Sequence, residues 1–226
     1  MKTVLVLLFI LLSGVAPSHA QNLVINGDFS SGFNNWTSTA NGNRPPWLES
    51  GGRAELARDV VPANRPATLT SDSFASGLVA GQTYEVQFSH GFTIDTTPSN
   101  TLQVLIRIAN GGVTGSGLSG SGANAGTLTT LTNIANGSYT TTLYFTPNAN
   151  FANAFIVFRG TNAQANNLGS VLWVDNVVVQ RRVPEIDGRS ALRPLLLLVL
   201  FILVLHHRRP KNWAEEPRET PLVAIY

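Results

Sequence analysis

Cysteine is absent from this 226-residue chain, which excludes disulfides, thiol nucleophiles and thiolate metal centres together. Charge is scarce as well, at 12% of residues. Between Gln21 and Gln180 there is no lysine, and six arginines stand against eight carboxylates, a net charge of −2, whereas the whole chain carries +2. The positive excess therefore belongs to the two ends. The middle has neither the basic face nor the motifs that a nucleic-acid partner requires. His90 is the single histidine of that stretch, so a multi-histidine metal site is excluded. There is no G-x-S-x-G nucleophile turn. Apolar runs are short, the longest being the eleven residues Leu195–Leu205.

What is present is strand-forming sequence. The 160 residues from Gln21 to Gln180 suffice for one domain with a proper core. Thr83–Ser89 alternates with period two, placing Tyr84, Val86 and Phe88 on one face and Glu85 and Gln87 on the other. Leu102–Ile108 alternates likewise, with Leu102, Val104, Ile106 and Ile108 inward and Gln103 and Arg107 outward. Further strands are predicted at Tyr139–Thr146, Ala154–Arg159 and Val171–Gln180. Gly, Asn, Ser, Thr and Pro separate them as turns, and no window carries a helical apolar period. The pattern predicts an all-β fold, an antiparallel jelly-roll β-sandwich. Gly111–Gly126 holds seven glycines and almost no large apolar side chain, which predicts a long mobile loop.

The opening Asn22-Leu23-Val24-Ile25-Asn26-Gly27-Asp28-Phe29-Ser30, followed by Gly32 and Trp36, resembles the first strand of galactose-binding-like jelly rolls. It is most similar to carbohydrate-binding modules of the family 4, 9 and 22 type. The closing Trp173-Val174-Asp175-Asn176-Val177-Val178-Val179 is similar to their last strand. From the residues alone, Asn26-Gly27-Asp28 is turn chemistry, and Phe29, Phe33 and Trp36 close one edge of the core. The resemblance implies a structural calcium linking first and last strands, with Asp28 and Asp175 as ligands, although the family's Glu is Ser30 here. It also implies polysaccharide as a partner. Sugar recognition needs aromatic faces and planar polar groups, and Trp47, Gln87, Gln103 and Arg107 are the candidates, expected on one outer surface of adjoining strands. The alternative for these residues is a solvated sheet face with a loop tryptophan packed on it.

The ends read as processing segments. Lys2, the apolar Val4–Leu12, and Ser18 and Ala20 at the −3 and −1 positions form a signal peptide over residues 1–20, a substrate for signal peptidase. The linker at 181–190 contains Val183-Pro184-Glu185-Ile186-Asp187, and it is followed by an apolar stretch over 191–207, then Arg208 and Arg209 opening a basic tail over 208–226. This order resembles the VPEID class of PEP-CTERM-like sorting tails, which implies an exosortase-type partner. Eleven residues of helix cover about 16 Å against a hydrocarbon core of about 30 Å, so the segment is a transient or marginal membrane helix. A plain single-pass anchor is the other reading. The positive-inside rule would place the body outside the cytoplasm. The expectation is an exported, non-catalytic, surface- or exopolysaccharide-associated sandwich. A structural or adhesive surface protein and a small glycoside-active enzyme are its rivals.

Overall fold

The computed structural model describes residues 20–40, 46–57, 66–93, 100–162, 170–182, 198–199 and 201–202. The chain divides into two compact units, Met1–Val183 and Pro184–Tyr226. Among the described residues of the first, twelve strands form two six-stranded sheets. They are β1 (Trp36–Thr39), β2 (Leu48–Glu49), β3 (Ala54–Ala57), β4 (Ala67–Ser71), β5 (Tyr84–Phe92), β6 (Asn100–Ile108), β7 (Gly111–Gly112), β8 (Gly115–Ser116), β9 (Thr127–Thr132), β10 (Gly137–Pro147), β11 (Phe155–Asn162) and β12 (Val171–Arg181). Sheet one runs β2-β3-β12-β5-β10-β8; sheet two runs β1-β4-β11-β6-β7, with β9 also paired to β6. Every pairing between these strands is antiparallel. This is the two-layer all-β sandwich that the alternating segments imply.

The alternation decides which side of each strand is dry. On β5 Tyr84, Val86, Phe88, His90 and Phe92 are buried, while Gln87 is exposed. On β6 Leu102, Val104 and Ile106 are fully buried between the sheets. A chain of rings crosses the core. Phe29 meets Trp36 at 5.0 Å, Trp36 meets Phe158 at 6.3 Å, and Phe158 meets Phe88 edge-on at 5.3 Å. His90 then follows Phe88 at 5.4 Å, and Tyr139 stacks on His90 at 5.8 Å. Each such pair adds about 0.5–1.5 kcal/mol beyond its buried area.

The two ends of the domain are laced together. Leu23 N donates to Val179 O at 2.7 Å and Val177 N to Gly27 O at 2.8 Å, and Asn22 forms an antiparallel bridge with Gln180. The Asn26 side chain pins the first turn, donating to Gly32 O and Asn34 O and accepting from Ser31 N. Gly27 is required here because a Cβ would run into the Val177 carbonyl. The first motif and the last strand are thus one structural feature.

Three expectations are corrected. The stretch Gly111–Gly126 is not a featureless loop: it contains β7, β8 and a 3-10 turn at Gly122–Asn124. Its glycines serve close backbone approach, since a Cβ on Gly112 would strike Ala125 and one on Gly126 would strike Ile106 O. Second, β5 and β6 are not neighbours. They lie in different sheets, β5 between β12 and β10 and β6 between β11 and β7. Third, among the described residues no helix is long and apolar enough to cross a membrane. Of the stretch 191–207 only Leu198, Val199, Phe201 and Ile202 are described, helical and exposed. The transmembrane-helix expectation is corrected accordingly, and with it the membrane, exosortase and signal-peptidase partners and the membrane-anchored localisation that depended on it. The motif Val183–Asp187, Arg208 and Arg209, and residues 1–19 of the expected signal peptide lie outside the described residues.

Candidate functional site

The strand registers set out the outer face of sheet one as a lattice. One row is Tyr144–Glu85–Gln180, the next Thr142–Gln87–Val178, the next Thr140–Ser89–Asp175, and the last Ser138–Gly91–Trp173–Glu55–Leu48. Successive rows are about 7 Å apart and neighbouring strands about 4.8 Å. The face therefore runs about 20 Å from the Tyr144 row to the Trp173 row. Planar polar groups occupy its middle. Gln180 Nε2 donates to Glu85 Oε1 at 3.2 Å, and Gln87 Nε2 to Thr142 Oγ1 at 3.4 Å.

Aromatic rings sit at two corners. Tyr144 is 47% exposed, with the Arg182 guanidinium 5.1 Å from its ring centroid. Trp173 lies across Gly91, where any side chain would collide with the indole. Arg53 covers the tryptophan at 5.1 Å from the centroid and is itself bound to Glu55, Nε to Oε1 at 2.7 Å. Tyr144 is thus the open ring, and Trp173 lies beneath an arginine.

The predicted residues separate. Gln87 lies at the centre of the sheet-one face, exposed as expected. Gln103 and Arg107 lie together on β6, on the outer face of sheet two, so they do not join Gln87. Trp47 is 1% exposed, donates Nε1–H to Ala67 O at 3.3 Å and fills the space left by Gly160. It is a core residue and offers no face to a ligand. The physical reason is the missing side chain at Gly160, which lets the indole pass inward from its loop.

Asp28 and Asp175 do come together. Asp28 is fully exposed, and bonds from Ser30 N and Oγ hold its carboxyl below the usual carboxylate range. Asp175 is pushed up, first by burial and then by the charge of Asp28, against the pull of Asn176 N and Arg53. Two hard-oxygen groups of like charge would supply two of the six to eight ligands a calcium ion takes, and among the described residues no third His, Cys, Asp or Glu joins them.

The sequence reading missed Tyr144 and Arg159. Tyr144 alternates with the inward Phe145 on β10, a parity signal the chain does carry. Arg159 gains its place only from the β11–β6 pairing that sets it opposite Gln103.

The described residues hold no catalytic constellation. His90 is 5% exposed between the sheets with Nε2 2.8 Å from Thr141 Oγ1, and no three His, Cys, Asp or Glu side chains gather around a metal position.

No family model matches the chain and no curated protein is similar enough to count as a relative. Solved structures do resemble it. One is the family 16 carbohydrate binding module-2, at 16% identity over 70% of this chain and 99% of that one, TM-score 0.43. Another is the N-terminal cellulose-binding domain of Cellulomonas fimi β-1,4-glucanase C, at 16% identity over 75% and 99%, TM-score 0.46. A third is the K3 cleaved adhesin domain of Lys-gingipain from Porphyromonas gingivalis, at 15% identity over 73% and 99%, TM-score 0.42. At these identities and TM-scores the likeness assigns neither a family nor a ligand.

Proposed function

We propose that this domain is a non-catalytic carbohydrate-binding module whose site is the outer face of sheet one. The observation that carries the reading is the lattice of Tyr144, Glu85, Gln180, Gln87, Ser89 and Asp175, which combines an open ring with planar acceptors and donors. A sugar ring presents an apolar C–H face and an equatorial girdle of hydroxyls. Tyr144 would stack on the former, while the carboxylates and amides pair with the latter. The resemblance of the first and last strands to carbohydrate-binding modules supports the same reading. Calcium held by Asp28 and Asp175 would neutralise two like charges and tie the first turn to the last strand, a structural role away from Tyr144.

The test is titration calorimetry of the full chain against a panel of neutral polysaccharides and their oligomers. Wild type is expected to bind at least one. Tyr144→Ala should weaken that binding about ten-fold, equivalent to about 1.4 kcal/mol, and Gln87→Ala by a smaller factor. A panel with no binder, or a binder indifferent to both substitutions, would remove the reading.

A further inference from the structure

The outer face of sheet two carries a different chemistry. Its central row, read across the strands, is Thr39–Thr68–Arg159–Gln103–Thr130. Arg107 lies on the same face of β6, four residues beyond Gln103. Its Nη1 donates to Ala123 O at 2.6 Å, and Arg159 Nη1 approaches the same oxygen at 3.4 Å. Arg159 Nη1 also donates to Asn124 Oδ1 at 2.6 Å and to Gln103 Oε1 at 3.1 Å. Two guanidiniums therefore converge on one neutral carbonyl, and among the described residues neither meets a carboxylate. Burial and the neighbouring Arg107 both disfavour the charge on Arg159.

Like charges held side by side by neutral acceptors form a site prepared for an anion. Among the described residues these hydrogen bonds engage Nη1 of each group, and a guanidinium has a second edge, Nε with Nη2, that can donate two parallel bonds. A flat carboxylate matches such an edge with two parallel N–H···O bonds. The surroundings select what carries that carboxylate. Thr68 and Thr130 flank Arg159 and Gln103 in this row, and threonine hydroxyls suit hydroxyl-rich chains; the Gln103 amide itself is engaged, its Nε2 donating to Thr127 Oγ1 at 3.3 Å. Two cations in a stretch of net charge −2 do not make a track for a phosphate backbone.

We propose that the outer face of sheet two, centred on Arg107, Arg159 and Gln103, is a second binding site, for a carboxylate-bearing (uronic-acid) polysaccharide. It goes beyond the neutral-glycan site and stands on different residues on the opposite face.

The experiment is affinity electrophoresis of the full chain through gels containing polygalacturonate, with heparin, single-stranded DNA and a neutral glucan as separate arms. Polygalacturonate should retard the wild type, and the effect should fade as salt rises from 50 to 300 mM (roughly one or two phosphate-equivalents of charge being involved). Arg107→Gln with Arg159→Gln should weaken retardation at least ten-fold (on the order of a lost charge-assisted pair). Thr130→Glu keeps both arginines and their loop bonds while setting a carboxylate beside Gln103, and it should abolish retardation without touching the fold. Tyr144→Ala should leave polygalacturonate binding intact, which separates this site from the first. No retardation by polygalacturonate, retardation unchanged in Thr130→Glu, or equal retardation by heparin and DNA would each overturn the proposal.

Discussion

A few side chains carry more of the domain than their size suggests. Gly27 meets the Val177 carbonyl so closely that no Cβ fits, and it accepts the Val177 N–H. Gly27→Ala is expected to cost about 1–3 kcal/mol of stability, read from the urea midpoint, because backbone would have to move on both sides. His90 is the other such residue. Among the described residues its Nδ1 is buried without a partner, and burial holds its pKa below the ordinary 6.5. The neutral ring is therefore the native form. The stability tied to it is fully present above about pH 6.5, the unfolded value, and is lost as pH falls through the depressed native value. Thermal melts from pH 7.5 to 5 should show a falling midpoint in wild type. His90→Phe, which extends the ring stack with no titrating group, should flatten that slope; an equal slope in both proteins would assign the effect elsewhere. Asp175, pushed above the ordinary 3.8 by burial, acts in the opposite sense.

Among the elements, β12 explains most. It lies between β3 and β5, and its register shifts between Asp175 and Val178, with Asn176 at φ 50°. That irregularity turns Val177 toward Gly27 and leaves Asp175 on the outer face. Asn tolerates the left-handed region and a β-branched residue does not. Asn176→Val is expected to lose about 1–2 kcal/mol while Asn176→Gly stays near wild type, measured by chemical denaturation. Element positions were largely legible in the chain, because period-two alternation is local: the segments around Tyr84, Leu102, Tyr139, Phe155 and Val171 all form strands. The outward parity of Gln87, Gln103 and Arg107 was legible for the same reason. Their grouping was not, since nothing in Thr83–Ile108 encodes that β5 and β6 enter different sheets. Nor was the burial of Trp47, which depends on Gly160, 113 positions away in the chain.

At the scale of the whole domain, closure of the two ends is the organising contact, since Asn22–Phe29 docks on Val177–Gln180. An ion held by Asp28 and Asp175 would act on that closure. In differential scanning fluorimetry, 10 mM calcium should raise the melting temperature of wild type, by an amount equivalent to about 2 kcal/mol for a weak site. It should do nothing for Asp28→Asn with Asp175→Asn. A midpoint indifferent to calcium and to chelator would remove calcium from the account. The same scale separates two ligand chemistries. Tyr144, Glu85, Gln180 and Gln87 lie on one outer face, Arg107, Arg159 and Gln103 on the other, with the core between them.

What the chain determined by itself was local: the absence of thiol chemistry, the strand pattern, the turn at Asn26-Gly27-Asp28, and which side of each strand faces water. These follow from side-chain chemistry and backbone period, and need no knowledge of neighbours. What only the tertiary structure decided was adjacency. It brought Asp28 to Asp175, set Arg159 beside Gln103, laid Trp173 across Gly91, and parted Gln87 from Arg107. A sheet pairs residues that are far apart in the chain, so the composition of a face is fixed by strand order. Strand order emerges only when the two layers close on a common core.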